Sequence, residues 1–321
     1  MNKSLNSFFS VIVPAFNAEK YIFNTIKSVI NQKFPFFELI IVNDGSIDNT
    51  EKIVLSINDK RIKYYKIKNQ GVAFARNFGL SKAQYEYVCF LDSDDIWFDD
   101  HLLVLNNIIE KNKNMKVWLT GYQAVDFCGN ITRRTDHIIR INKEYIILEN
   151  VFEYILKYGV FFHLNSFCIK KEIINTDIRF CDGEKIGEDD DFMYKVFALY
   201  PVVFTNTVTT EYIRNVNSVT SKKIFNFNWV FVNNAAKIIN KYTVPEEKIL
   251  SIKKIINLYY LSKVKNYLLL GEKKRAIINF VEIDRKNILK AKYIKTFLLI
   301  LVPTFILKIG IKIRDRNYFI N

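Results

Sequence analysis

Cysteine is scarce. Only Cys89, Cys128, Cys168 and Cys181 occur in 321 residues, and no two of them stand in a CxxC or other metal-ligand spacing. A disulfide framework is therefore not expected, and four scattered thiols in so long a chain point to a reducing cytosol, with most of them buried. The ten glycines form no Gly-x-Gly-x-x-Gly. Where a dinucleotide fold would carry that loop, this chain has Pro14-Ala15-Phe16-Asn17, which argues against NAD and against a glycine-cradled nucleotidyl transfer. Met1–Ser10 has one lysine and no long apolar stretch, so no signal peptide is expected. Repeats, low-complexity linkers, helix-turn-helix, RRM and zinc patterns are missing as well, so nucleic acid is not an expected partner.

Half of the residues are hydrophobic and a quarter charged, as in a globular protein with one large domain and an extension. The net charge of +14 is unevenly spread. Residues 222–321 hold 21 Lys and Arg against 6 Asp and Glu, a balance of +15, which leaves −1 for residues 1–221. Two parts are expected: a near-neutral body, 1–221, and a basic helical region, 222–321.

The body alternates. Apolar runs at Phe8–Val13, Phe37–Val42, Ile62–Ile67 and Glu86–Leu91 read as strands, with helical stripes between them at about 21–30, 48–58 and 71–82. This pattern defines an α/β fold with parallel strands and ligand-facing loops at the strand ends. A further helix is expected over about 99–111 and a strand at 116–120. Residues 122–185 are irregular, with one helix at 149–158, and a second acidic run opens a helix that ends near Leu199. Short strands at Val202–Phe204 and Thr209–Ile213 close the body.

The acids concentrate at strand ends. Asn17 and Glu19 follow the first strand, Asp44 follows the second, and Asp92-Ser93-Asp94-Asp95 follow the fourth. Unpaired carboxylates cannot be buried cheaply, so three in four positions suggest a divalent cation shared with a phosphate-bearing ligand, or else a solvated turn. Hard oxygen ligands suit Mg²⁺ or Mn²⁺ better than zinc. The second cluster, Gly187-Glu188-Asp189-Asp190-Asp191, offers a carboxylate able to deprotonate an acceptor hydroxyl, or a solvated first turn favoured by the helix dipole.

Five stretches together resemble family 2 glycosyltransferases. They are Val11–Glu19, Val42–Thr50, Asn69-Gln70-Gly71, Ala75-Arg76-Asn77-x-Gly79 and Leu91–Asp95, with Glu188-Asp189 and Phe192 resembling the acceptor-side acidic motif. The resemblance covers about residues 8–221. Ile47 departs from the threonine usual there. It implies a GT-A fold, three-layer with a mostly parallel sheet, with 1–120 as the nucleotide-sugar half and 121–221 as the acceptor half. It also implies donor binding by Pro14, Ala15, Phe16, Asn17, Glu19, Asp44, Arg76, Asp92 and Ser93. Within that set Pro14, Phe16 and Glu19 line the base and ribose pocket, and Asp44 accepts from a uracil-type base. Arg76 lies near the diphosphate or orients Asp92, and Asp94 reaches the divalent metal. Asp189 is the implied base, with Asp190 and Asp191 as rivals and Glu188 on a sugar.

The implied activity is inverting, metal-dependent transfer of a hexose from a nucleotide sugar, expected to be a UDP-sugar. The acceptor is a saccharide or lipid-linked saccharide of cell-surface polysaccharide synthesis; a non-catalytic nucleotide-sugar-binding or scaffolding protein is the alternative. His163 and Trp97 are further acceptor-side candidates, each with a structural role as alternative. Arg214, ahead of Ser218 and Thr220, is a candidate for a loop closing near the diphosphate.

In the tail, Phe297–Leu307 is too short to span a bilayer and is flanked by Lys292, Lys295, Lys308, Lys312, Arg314 and Arg316. Peripheral attachment to the anionic inner face of the cytoplasmic membrane is expected, or else a helical hairpin packed on the body.

Overall fold

The computed structural model describes residues 7–214 and 230–301, apart from 127, 185 and 288–289. Strands β1 (Phe9–Ala15), β2 (Phe37–Asn43), β3 (Ile62–Lys66) and β4 (Tyr87–Phe90) alternate with helices α1 (Ile22–Ile30), α2 (Thr50–Leu55) and α3 (Val72–Lys82). There follow β5 (Ile96–Trp97), α4 (His101–Glu110), β6 (Val117–Val125), β7 (Ile131–Arg134), α5 (Thr135–Ile138), β8 (Ile146–Leu148) and α6 (Val151–Tyr158). After a 3-10 turn at Leu164–Ser166 come β9 (Phe167–Lys170), α7 (Glu188–Leu199), β10 (Val202–Ile213) and α8 (Val230–Lys241).

All ten strands join one sheet in the order β3-β2-β1-β4-β9-β6-β10-β5, with β7 beside β6 and β8 beside β10. Strands β1 to β4 pair in parallel; β9 runs against both β4 and β6, and β6 and β10 are again parallel. The main direction is thus shared by β1–β4, β6 and β10. Every residue of β1 and β2 is buried, which is why both read as continuous apolar runs rather than alternating ones.

Helices cover both faces. Phe9, Val11 and Val13 of β1 pack with Ile22, Ile26 and Val29 of α1 and with Leu102, Leu105 and Ile109 of α4. Each such side chain contributes about 1.5–3 kcal/mol by leaving water, well above the few tenths available from pairs along an isolated helix. On the other face α3 presses against Ile12. A Cβ on Gly79 would stand 2.5 Å from Ile12 Cγ2, so only glycine lets the helix approach this closely. Phe90 of β4 meets Phe192 of α7 on that face, with ring centroids 5.6 Å apart. The result is an α/β/α sandwich with helix N-termini and strand C-termini at one edge.

Two expected strands near the end of the body are one. β10 is twelve residues long, and its register against β6 shifts between Phe204 and Val208 and again between Val208 and Thr210. These irregularities put the polar stretch Thr205–Thr207 inside the strand and break the alternation that sequence reading relies on. Opposite them, Gly121 has room for no side chain, since a Cβ would sit 2.7 Å from the Asn206 carbonyl oxygen.

His101 at the start of α4 is wholly buried. Its Nδ1 lies 2.7 Å from Thr209 Oγ1, which in turn donates to Thr120 Oγ1, so the ring is held as the neutral Nδ1–H tautomer. Burial lowers its pKa to about 3. A depressed folded-state pKa means that the unfolded chain takes up the proton first. Stability from this group is therefore complete above pH ~6.5 and is lost progressively as pH falls toward 3. Wild type is expected to lose several kcal/mol more than His101→Gln between pH 6.5 and 4, read by urea unfolding at each pH. Parallel losses in the two proteins would assign the acid sensitivity elsewhere.

The described residues form two compact units, one of 7–214 with 230–243 and one of 244–301. The body therefore extends past the boundary expected at 221/222. In α8, Asn234 donates to Asp191 of α7 at 3.0 Å and Phe231 meets Tyr194 edge-on at 5.1 Å. The second unit consists of α9 (Glu246–Leu270), α10 (Lys273–Val281) and α11 (Lys290–Leu301) around Leu261, Val264, Leu268, Ala276, Phe280 and Ile300.

Candidate active site

The loops after β1 and β2 are stitched together by the polar residues of their own motifs. Asn17 adopts a left-handed φ of 49°; its N–H donates to Ser46 Oγ, and its Oδ1 accepts from the Ile47 N–H. Ala18 N–H donates to Thr50 Oγ1 and Glu19 N–H to Asp48 Oδ2, while Glu19 Oε2 accepts from Asn49. Asn17 and Glu19, expected to contact the donor, spend their side chains on the 46–50 turn and do not line the cavity described next. The Ile47 side chain is 91% exposed, so the threonine usual at this place is not replaced by any buried contact.

Between these loops, α3 and the end of β4 lies a cavity of about 450 Å³, lined by Pro14, Ala15, Phe16, Asp44, Asn69, Gly71, Val72, Ala75, Arg76, Asp92, Ser93, Asp94 and Glu184. Asp44 is almost fully buried there. Its two carboxylate oxygens accept from the Gln70 and Gly71 N–H groups, each at 2.8 Å, which fixes the turn into α3. Gly45 has φ +74°, and a Cβ there would lie 2.9 Å from Asn69 N, so the Asp44-Gly45 turn and the cavity wall are built against each other. Asn69, Gly71, Val72, Ala75 and Glu184 were not singled out from the sequence. The first four lie inside stretches already noted, whereas Glu184 carried no signal.

Arg76 is the centre of the site. It is 3% exposed; Nη2 donates to Asp92 Oδ1 at 2.6 Å and Nη1 to Glu188 Oε1 at 2.8 Å. The two acidic runs, 96 positions apart in the chain (188 − 92), thus meet on one guanidinium. Phe180 lies under that group, with Cζ 5.2 Å from the ring centre, and Asn77 holds Phe180 in place through both of its backbone polar groups. Burial opposes the ionisation of Asp92, but the charge and hydrogen bond of Arg76 outweigh it and keep its carboxyl below the usual range. For Glu188 burial prevails over Arg76, helped by the charge of Asp189, and its carboxyl is shifted upward.

The third acid of the first run has a different task. Asp95 is fully buried; Oδ1 accepts from the Ile213 N–H at 3.0 Å and Oδ2 from Asn165 Nδ2 at 3.2 Å. Burial, with Asp94 and Asp92 nearby, pushes its pKa well up. Trp97, expected on the acceptor side, is instead a core residue at 2% exposure, with Nε1 donating to the Asn165 carbonyl and the ring 4.1 Å from that of His101. An indole that must hydrogen-bond and has a buried carbonyl in reach has no reason to face solvent. His163 stacks on Tyr212 at 4.4 Å and stands 3.9 Å from Asp95 Oδ2; burial lowers its pKa against the pull of Asp92 and Asp189.

Helix α7 opens with four acids after Gly187, whose φ of 81° caps it. Asp191 is fully buried and pairs with Lys195 at 2.7 Å and with Asn234, which gives it a structural role and removes it as a rival base. Asp190 is driven up by burial and by its acidic neighbours. Asp189, partly exposed, adjoins Glu188, and its charge acts on both Arg76 and His163. Arg214 is exposed just after β10, its N–H donating to the Val125 carbonyl; Ser218 and Thr220 lie outside the described residues.

Among the described residues no three His, Cys, Asp or Glu side chains gather to hold a metal by themselves. Asp92 and Asp94 both line the cavity, however, and Mg²⁺-type ions are commonly held by one or two carboxylates plus substrate phosphates. The donor set therefore fits a cation that arrives with a diphosphate.

The sheet order, the helices on both faces and the acid-lined crevice at the strand ends define a GT-A fold. S. aureus TarS residues 1–349, solved with UDP-GlcNAc, superposes with a TM-score of 0.63 at 20% identity over 90% of this chain and 79% of that one. Residues 10–172 match glycosyl transferase family 2, and the chain belongs to that family. It is 33% identical over 198 residues to the minor teichoic acid biosynthesis protein GgaB of Bacillus subtilis, covering 58% of this chain and 21% of GgaB. It is 26% identical over 234 residues to the glycosyltransferase GlyG of Streptococcus pneumoniae, covering 70% and 76%. The chain spans 17% of a Rickettsia bellii glycosyltransferase to which it is 42% identical over 118 residues, so its similarity to such longer proteins concerns less than a fifth of their length.

Proposed function

We propose that this glycosyltransferase moves a hexose from a UDP-sugar to a hydroxyl of a growing cell-surface polymer of the teichoic acid or related anionic type, with inversion at the anomeric carbon. The observation that carries the reading is Arg76, which joins the donor-side Asp92 to the acceptor-side Glu188 at the wall of a nucleotide-sized cavity. The names of GgaB and of TarS bound to UDP-GlcNAc support the polymer class and the donor.

In this reading Pro14, Ala15 and Phe16 flank the base, and Asp44, whose oxygens also hold the 70–71 turn, accepts from it. Asp92, kept ionised by Arg76, meets the ribose side. Asp94 would hold a divalent cation, which when bound offsets charge on the leaving diphosphate. Asp189 accepts the proton of the acceptor hydroxyl as its oxygen bonds to the anomeric carbon and the diphosphate departs. Transfer through a single base without a covalent intermediate is direct displacement, so an α-linked donor yields a β-glycoside.

Thermal unfolding with a panel of nucleotide sugars tests the donor site. A ligand at about 100 times its dissociation constant adds about 2.7 kcal/mol of stability. A UDP-sugar with Mn²⁺ is expected to give such a shift, and Asp94→Asn is expected to abolish its Mn²⁺-dependent part. An unchanged shift in that variant would remove Asp94 from the metal. A shift without donor hydrolysis would favour a binding protein over an enzyme.

A further inference from the structure

The geometry points to an anionic lipid surface as the partner of the C-terminal helices α10 and α11. Their inner sides form a core in which Phe280 meets Tyr293 with ring centroids 4.6 Å apart, and the half-exposed Phe297 lies at its rim, 6.0 Å from Phe280. Their outer sides are not polar, as a solvated helix requires. On α11, Ile294, Phe297, Leu298 and Leu301 stand at i, i+3, i+4 and i+7 and are 46–59% exposed. On α10, Ile277, Ile278 and Val281 are 45–72% exposed. The contact of Phe280 with Phe297 brings the two helices side by side.

Charge selects the occupant. Lys274, Arg275, Arg285, Lys286 and Lys295 are exposed on these helices and the turn between them, against Glu272, which pairs with Arg275, and the exposed Glu282, in a region whose balance is +15 against −1 for the rest of the chain. A second copy of this face would bring like charges together. A soluble polyanion would match the charge and leave seven large apolar side chains in water. An anionic bilayer satisfies both, taking the apolar stripes into the acyl boundary and the cations at the headgroups. Among the described residues no helix is long and apolar enough to cross a membrane, so the contact lies in the plane of the surface. The sequence had marked only the stretch from 292 onward; the α10 half of the surface became visible with the packing of Phe280.

Co-sedimentation of the full chain with vesicles tests this. One set is phosphatidylcholine and the other contains about one-third phosphatidylglycerol. Each basic group near the surface is worth about fivefold in partitioning, so binding to the anionic set is expected to be at least tenfold tighter and to weaken with salt. Leu298→Glu/Leu301→Glu and, independently, Ile278→Glu/Val281→Glu are each expected to lower it about tenfold or more. Both pairs should leave the unfolding temperature and solution donor hydrolysis unchanged. Equal binding to the two vesicle sets, or full binding by both variants, would overturn the proposal. So would a concentration-dependent dimer that these variants dissolve, because the occupant would then be a second copy. Donor hydrolysis reads the transferase site separately, so loss of one result does not imply loss of the other.

Discussion

Arg76→Met is expected to destabilise the protein by about 3–5 kcal/mol and to lower kcat/KM by two orders of magnitude or more. The cation is buried between two carboxylates, and its removal leaves Asp92 and Glu188 charged and unpaired in a desolvated place. The pH dependence gives the cause away. In wild type, Arg76 holds the Asp92 pKa below its unfolded value; that contribution is complete above pH ~3.9 and is lost as pH falls through the folded-state pKa. Without Arg76, burial alone acts and the folded-state pKa rises. The penalty is then present at pH 7 and shrinks as the carboxyls take up protons on acidification. The variant should therefore regain part of its deficit between pH 7 and 5, measured by urea unfolding at each pH. Arg76→Lys should recover little, because one ammonium cannot serve two carboxylates in a fork. A methionine variant with wild-type stability and turnover would mean that the two acidic runs do not depend on their shared partner.

Asp189→Asn is expected to lower kcat by about 10²–10⁴, equivalent to about 3–5 kcal/mol in the barrier, with little change in donor KM or in unfolding temperature. The residue is partly exposed, and its Oδ1 accepts from the adjacent Asp190 N–H, which asparagine can also satisfy. Neighbouring substitutions separate catalysis from folding. Asp191→Asn weakens the buried pair with Lys195 and should act mainly on stability. Asp190→Asn should do less to kcat than Asp189→Asn. A reversed order in initial-rate measurements would transfer the base to Asp190.

Much of the fold was legible because the donor half is built from local rules. Four apolar runs separated by helical stripes read as β1 to β4 with errors of a residue or two at most ends, and the fully buried β1 and β2 read as unbroken hydrophobic runs. Legibility ended where local pattern stopped reporting on environment. The irregularities in β10 hid one strand as two, and Trp97 beside three acids looked like a ligand contact although its indole donates to the buried carbonyl of Asn165 in the 3-10 turn before β9. Asn17 and Glu19 read correctly as strand-end polar residues, yet nothing in their spacing shows that their partners are the Ile47 and Asn49 N–H groups some thirty positions on.

By itself the sequence determined the α/β class, the edge of the sheet where the acids collect, and the division between a neutral body and a basic tail. Hydrophobic period and charge are properties of short stretches, and they survive without knowledge of what lies across the sheet. Tertiary structure decided which acid does what. Asp44, Asp92, Asp95, Glu188 and Asp191 are alike as carboxylates, and they differ only in the groups that folding brings to them: two backbone amides, one shared guanidinium, a strand end and a buried lysine. Ionisation depends on burial and on the nearest opposite charge, and both of these are set by contacts between residues far apart in the chain.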